Sequence, residues 1–148
     1  MLFRSLSHAM SQSTIVLSLL LAVGLAVGIV AEFARRRGLQ AYWQRACTGR
    51  QWMRRFPDAS KIQIRAFLDL FVRAFAFARE RRLCFSPDDR VMDIYRTLYP
   101  PKWTLADALE LETFARDMSQ TYHTDIYSLW RDDITLGELF AQTRTNVA

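Results

Sequence analysis

The feature of this sequence that most constrains its fold is a long uncharged stretch near the start. No Asp, Glu, Lys or Arg lies between Ser5 and Ala31, and the densest part reads IVLSLLLAVGLAVGIVA over residues 15–31. A helix needs about 20 apolar residues to cross a hydrocarbon core about 30 Å thick. We therefore predict a single transmembrane helix over residues 14–34, preceded by a short N-terminal tail of residues 1–13.

Two other interpretations of this stretch are a cleaved signal peptide and a buried helix of a globular protein. Only Arg4 precedes the stretch, whereas Arg35, Arg36 and Arg37 follow it at once. Positive charge just past an apolar segment favours retention of that side in the cytoplasm. We therefore expect a single-pass membrane protein whose C-terminal part lies in the cytoplasm.

The net charge of +5 is divided unevenly along the chain. Residues 1–60 hold eight Arg against two acids, a balance of +6, and residues 61–148 hold twelve Lys and Arg against thirteen acids, a balance of −1. Within residues 103–140, two Arg oppose eight acids, a balance of −6. The excess of positive charge that makes the pI basic therefore lies in the segment after the apolar stretch, and we expect no nucleic-acid partner.

A basic and aromatic segment, residues 35–59, follows the predicted membrane helix. Arginine gains about 1 kcal/mol near an anionic leaflet, and Trp prefers the headgroup level. An interfacial segment is the favoured interpretation, broken near Thr48 and Gly49, and a docking surface for an acidic partner is the alternative. The predicted membrane-surface residues are Arg35, Arg36, Arg37, Trp43, Arg45, Arg50, Trp52, Arg54 and Arg55.

Small residues within the apolar stretch indicate a packing surface. Gly24 and Gly28 are four residues apart, a spacing that lets two helices approach closely in lipid. Such residues are also common in membrane helices generally. Association with another transmembrane helix is therefore one interpretation of this pair, and ordinary membrane-helix composition is the other.

Neither metal nor catalytic chemistry is indicated by the sequence. The two cysteines, Cys47 and Cys84, lack CxxC spacing, and His8 lies far along the chain from His123. No Gly-rich phosphate loop and no nucleophile with a neighbouring base is visible. We expect reduced thiols, no metal, no cofactor and no enzymatic activity.

The rest of the chain has helical periodicity throughout. A capping box at Ser60–Gln63 opens a helix predicted to reach about Arg82. Ser86 is the predicted cap of a second helix that stops at Pro100, and a third begins near Thr104. In that third helix Leu105, Leu109, Met118 and Tyr122 are expected to share a buried side.

A second capping box, Thr135–Glu138, opens the last predicted helix. The fold class is therefore all-α, with a helical domain over residues 60–141 and a C-terminal tail of residues 142–148. About eighty residues is near the lower size for a self-sufficient core.

The C-terminal half resembles the acyl carrier protein superfamily, most clearly from Asp107 onward. That family opens its second helix with Asp-Ser-Leu-acid, and Asp107-Ala108-Leu109-Glu110 aligns with this element. Tyr122 falls fourteen residues after Ala108 and Ile126 eighteen residues after it, where the family has an aromatic residue and Ile. Thr135-Leu136-Gly137-Glu138 matches the family's last turn, and FSPDDRVMDIY is similar to its first loop. The variety it resembles is the divergent bacterial carrier-like proteins, which implies a bacterial source, so that the predicted transmembrane helix is expected in the bacterial inner membrane. An unrelated acidic helical bundle is the alternative.

The departure from the family lies at the attachment residue. In the family a Ser hydroxyl forms the phosphodiester to phosphopantetheine, and Ala108 has no oxygen nucleophile. No Ser or Thr lies between Leu105 and Glu112, so a small error of alignment restores none. Asp107, Ala108 and Leu109 are therefore interpreted as a degenerate prosthetic-group position.

The family's acidic second helix docks on basic surfaces of partner proteins. By that resemblance Glu110, Glu112 and Asp117 are expected to point outward and to bind a basic partner. The leading hypothesis is a membrane-anchored docking subunit that is not an enzyme. The alternatives are a genuine carrier with atypical attachment and a lipid-sensing membrane protein.

Overall fold

The computed structural model describes residues 2–99 and 109–145, with the side chains at positions 2–11, 13, 31 and 34–36 excepted. Most of these residues are helical and none lies in a named strand, which confirms the all-α prediction. They form two compact units that divide after Arg37. The helices are α1 (Leu2–Trp43), α2 (Gly49–Arg55), α3 (Lys61–Ala74), a 3-10 helix (Arg79–Cys84), α4 (Val91–Leu98), α5 (Leu109–Tyr122), α6 (Ile126–Leu129) and α7 (Leu136–Thr145).

The described part of the N-terminal unit is helix α1 as far as Arg37. Every described side chain between residues 14 and 30 is exposed, including Leu17 at 70% of its surface and Ile29 at 69%. Within residues 2–99 and 109–145, no helix is long and apolar enough to cross a membrane. The structure therefore does not confirm the transmembrane helix predicted over residues 14–34.

The second unit begins at Gly38, well before the predicted domain start at residue 60. Its core contains Leu39 from the end of α1 and Trp52 from α2. The Trp52 ring lies 5.7 Å from the ring of Phe140 and 6.1 Å from that of Phe67. The unit begins earlier than the predicted domain because these apolar side chains of the basic segment form part of its core.

Helix α3 begins as predicted and ends early. The Ser60 hydroxyl accepts the amide of Gln63 at 3.1 Å, and the Gln63 side chain accepts the Ser60 amide at 2.9 Å. The helix stops at Ala74 and not near Arg82, because Ala76 takes a left-handed conformation at φ 52°. The chain then forms the 3-10 helix. The amide of Thr48, the residue before α2, donates to the carbonyl of Leu83 in that 3-10 helix at 2.9 Å.

The loop before α4 packs on the start of α7. Arg90 and Thr135 form an antiparallel bridge, and the Gly137 amide donates to the Pro87 carbonyl at 2.8 Å. Ser86 was predicted to cap a helix and does not. Its amide instead donates to the Asp89 carboxylate at 2.7 Å, which closes a turn. Helix α4 therefore starts only at Val91.

The predicted capping box of α7 is present. The Thr135 hydroxyl accepts the Glu138 amide at 3.2 Å, and the Glu138 carboxylate accepts the Thr135 amide at 2.9 Å. This backbone donor outweighs desolvation and, with the Thr135 hydroxyl and Arg131, lowers the pKa of the Glu138 carboxyl. Arg131 also donates a hydrogen bond to Glu138, so the residues before α7 are held by several contacts.

Candidate functional site

Helix α5 carries the acids expected to dock a partner. Its buried side is formed by Phe114, Ala115 and Met118, and the Phe114 ring lies 5.4 Å from that of Phe71 in α3. Leu109, predicted to share that side, is 58% exposed. The physical reason is helical phase: Leu109 precedes Met118 by nine residues, which at about 100° per residue places it on the opposite face.

The start of the expected site lies partly outside the described residues. Asp107 and Ala108 fall in the segment 100–108, and the structure does not describe them. Glu110 follows directly and is half-buried, with its carboxylate accepting a hydrogen bond from the Tyr99 hydroxyl. Glu110 thus links the end of α4 to the first turn of α5.

Asp117 is also engaged within the protein. Its carboxylate lies 3.0 Å from Arg73 of α3, and only 17% of its side-chain surface is exposed. Glu112, by contrast, is exposed and has no ion pair within the part of the chain that the structure describes. The three acids predicted to dock a partner therefore differ, and Glu112 is the one most available to another molecule.

Tyr122 and Ile126, whose spacing from Ala108 resembles that of the carrier family, differ in burial. Tyr122 is half-buried at the end of α5, and burial raises the pKa of its phenol. Ile126 is buried in the core at the start of α6, whose cap is Asp125. Both side chains thus contribute to packing.

The basic segment is only partly a free surface. Arg45 donates two hydrogen bonds of 2.7 Å to Asp89, and Arg55 lies 3.8 Å from Asp88. Arg37 is exposed and lies 5.9 Å from the Phe33 ring. The side chains of Arg35 and Arg36 are among those that the structure does not describe.

Trp52 does not lie on the surface as predicted, and Trp43 lies there only in part. Trp52 is fully buried, and its indole N–H donates to the Phe85 carbonyl at 2.8 Å. Trp43 is half-buried, with its ring 5.3 Å from that of Phe77 and Arg81 stacked 5.4 Å from it. This placement corrects the membrane-surface prediction for Trp52: in a segment with many Arg, the large apolar rings turn to the core and the cations remain outside.

A basic groove that the sequence analysis missed lies between α2 and α3. Its cavity is about 530 Å³ and is lined by exposed Arg50 and Arg54 of α2 and exposed Lys61 and Arg65 of α3. The exposed thiol of Cys47 also lines it. Each helix contributes two cations four residues apart, a spacing that puts both on one face. That periodicity was the available signal, although nothing in the sequence indicated that the two faces meet.

Gly24 and Gly28 lie on an open side of α1. They line an apolar depression together with Leu20, Leu25 and Ile29. A Cβ atom added at either glycine would have no atom within 4 Å beyond its own helix and chain neighbours. The described part of the chain therefore leaves this small-residue surface unoccupied.

No group of three or more His, Cys, Asp or Glu within the described ranges is arranged to hold a metal ion. Cys47 and Cys84 are free thiols.

Comparisons of the whole chain with protein-family models, with curated proteins and with solved structures gave no match.

Proposed function

We propose that this protein is a membrane-anchored, acyl-carrier-like docking subunit without catalytic activity and without phosphopantetheine. In this proposal the N-terminal helix attaches the chain to the bacterial inner membrane. The helical unit that begins at Gly38 then lies at the cytoplasmic face and binds a protein with a basic surface. The proposal combines the exposed apolar surface of α1, the carrier-like spacing of the second unit and the exposed Glu112 of α5.

The observation that carries the proposal is the exposed apolar surface of α1. Single exposed apolar residues are ordinary on proteins, but a contiguous patch beyond a few hundred Å² marks an interaction or membrane surface. Between residues 15 and 30 the exposed large side chains are Ile15, Val16, Leu17, Leu19, Leu20, Leu21, Val23, Leu25, Val27, Ile29 and Val30. Burial of these side chains in lipid would remove an unfavourable contact with water.

The carrier-like character is supported by spacing and by local structure together. The acidic helix α5 is followed by the short helix α6 and then by α7, which opens with the Thr135 and Glu138 capping box. Because Ala108 offers no hydroxyl, intact-mass analysis after incubation with coenzyme A and a phosphopantetheinyl transferase should show no added mass. An arm-sized gain in mass would favour the alternative, a genuine carrier.

The docking role is tested best at Glu112, because Glu110 and Asp117 already have partners within the protein. Reversal of an exposed charge changes association through electrostatic complementarity without removing an internal contact. We expect Glu112→Lys to abolish affinity capture of the partner from detergent extracts. Glu80→Lys, the same change at an exposed site on the 3-10 helix, is the matched control. Capture that Glu112→Lys leaves intact would eliminate this docking surface.

The orientation has its own measurement. Cys47 is exposed and Cys84 half-buried in the unit proposed to face the cytoplasm. A membrane-impermeant thiol reagent should therefore label neither in intact cells and should label Cys47 rapidly after lysis. Labelling of Cys47 before lysis would place this unit on the opposite side.

A further inference from the structure

The groove between α2 and α3 combines uncompensated positive charge with an apolar wall. Arg50, Arg54, Lys61 and Arg65 line it, and none of the described residues that line it is acidic. Within the described residues none of the four forms an ion pair. Four like charges around one depression repel each other, and a cleft concentrates their field. An anion bound there would relieve that repulsion.

Several other arginines of this unit are neutralised internally, whereas the groove gathers four cations that form no ion pair within the described residues. Arg45 is paired with Asp89 and Arg73 with Asp117, while Arg79 and Arg82 share Asp69. The groove cations lack such partners although they belong to the same folded unit. Their charge is therefore available to a ligand from outside the chain.

The wall of the groove selects among anions. Met53 and Leu83 are half-buried and Ile64 is buried, and all three line the cavity beside the cations. Free phosphate has no apolar part to place there, and the Asp and Glu side chains that give an acidic peptide its charge have only short apolar stems. An anionic phospholipid has both a phosphate for the cations and acyl carbons for the wall, and burial of those carbons adds to affinity.

We propose that the groove between α2 and α3 is a binding site for one anionic phospholipid, with its phosphate held by Arg50, Arg54, Lys61 and Arg65 and its first acyl carbons against Met53 and Leu83. The site rests on the membrane attachment in the proposed function and is independent of the docking role of Glu112. It extends the predicted basic segment to Lys61 and Arg65 on α3. It also leaves out the arginines that the protein pairs internally.

The exposed thiol of Cys47 is a reporter placed in the groove wall. The full chain carrying Cys84→Ser would be reconstituted in phosphatidylcholine nanodiscs, with or without replacement of part of the lipid by phosphatidylglycerol. Each cation at an anionic surface is worth about a fivefold change in binding. We therefore expect phosphatidylglycerol to slow alkylation of Cys47 at least about fivefold and native mass spectrometry to detect one retained phosphatidylglycerol.

A pair of charge-matched variants separates the groove from general electrostatics. Arg54→Gln with Arg65→Gln should abolish both the protection of Cys47 and the retained lipid. Arg116→Gln with Arg144→Gln removes the same charge from exposed sites that do not line the groove, and both effects should persist. Equal loss in the two double variants would overturn the proposal, because it would show a response to net charge alone.

Two further arms identify the source of the anion. Inorganic phosphate or polyglutamate, added to phosphatidylcholine nanodiscs, should leave alkylation of Cys47 unchanged. Equal protection by phosphate would indicate a site for free anions, and equal protection by polyglutamate would indicate a site for acidic peptides; either overturns the lipid assignment. A chain that stays in the nanodiscs without any effect of phosphatidylglycerol disproves only the groove site. A chain that dissociates from the nanodiscs disproves the membrane attachment itself.

Discussion

The Gly137 amide donates a 2.8 Å hydrogen bond to the Pro87 carbonyl, and the two residues approach too closely to accommodate a Cβ atom without a shift. A Cβ atom at Gly137 would lie 2.7 Å from the Pro87 oxygen and 3.0 Å from its Cβ. Two neighbouring backbone hydrogen bonds extend this contact. The Val91 amide donates to the Ile134 carbonyl at 3.1 Å, and the Leu136 amide donates to the Asp89 carbonyl at 2.9 Å. The glycine of the Thr-Leu-Gly-Glu turn is thus required for close approach of the loop before α4.

Replacement of this glycine should loosen the start of α7. We expect Gly137→Ala to lower the free energy of unfolding by about 1–2 kcal/mol, because overpacking against backbone costs about 1–3 kcal/mol and helix propensity returns less than about 1 kcal/mol. The measurement is thermal or urea unfolding of the full chain in mild detergent, followed by circular dichroism. Gly49→Ala is the control, since its Cβ would meet only the Cys47 sulfur at an ordinary 3.5 Å. Equal stability of the two variants would show that the contact with Pro87 is not tight.

Trp52 provides a test that separates a core role from a membrane-surface role. Trp52→Phe removes the indole N–H from the Phe85 carbonyl and leaves a void, which should cost about 2 kcal/mol of unfolding free energy. Trp43→Phe should cost less, because Trp43 is only half-buried. The same denaturation measurement applies to both. A stable Trp52→Phe variant that binds vesicles weakly would restore the membrane-surface prediction.

The sequence predicted element type well and the phase and ends of elements less well. Both capping boxes, at Ser60 and at Thr135, form as their local patterns indicate. The end of α3 was missed because Ala76, and not the usual glycine, takes the left-handed position, while apolar periodicity continues past it. Leu109 was placed on the wrong face because that prediction did not follow the helical phase from Met118.

The basic groove was beyond sequence reasoning for a different reason. The two faces that carry Arg54 and Lys61 lie on separate helices, and their meeting depends on how α2 and α3 pack. That packing is set by large rings such as Trp52 and Phe67, whose contacts are long-range in the chain. Periodicity reports on one helix at a time and carries no information about such a juxtaposition.

Asp69 should make the stability of the second unit depend on pH. It accepts hydrogen bonds from Arg79 at 2.9 Å and from Arg82 at 2.9 Å. Desolvation raises the pKa of this carboxyl, but the two guanidinium groups together outweigh it and the net pKa is lowered. A lowered folded pKa contributes stability above the unfolded value near 3.8, and this stability is lost as the pH falls through the folded pKa.

We therefore expect Asp69→Asn to be less stable than the parent protein at neutral pH, with a difference that shrinks as the pH falls below about 4. Urea unfolding of the full chain at a series of pH values measures this difference. Arg82→Gln in the Asp69→Asn background should add little, because both changes disrupt one network. A difference that stays constant through the acidic range would show that the contact is not ionic.

Ala76 offers a stabilising change that follows from the end of α3. The Phe77 amide donates to the Val72 carbonyl at 2.8 Å and the Ala76 amide to the Arg73 carbonyl at 3.1 Å, which is the Schellman pattern with alanine in the left-handed position. A side chain there costs about 1–2 kcal/mol, and glycine removes that strain at a smaller entropic cost.

Ala76→Gly should therefore raise the free energy of unfolding by about 0.5–1 kcal/mol. Ala78→Gly, two residues later at φ −63°, has no such strain to relieve and should be neutral or destabilising. Thermal unfolding of the two variants beside the parent chain decides the point. Destabilisation by both changes would mean that the helix does not end in this left-handed turn.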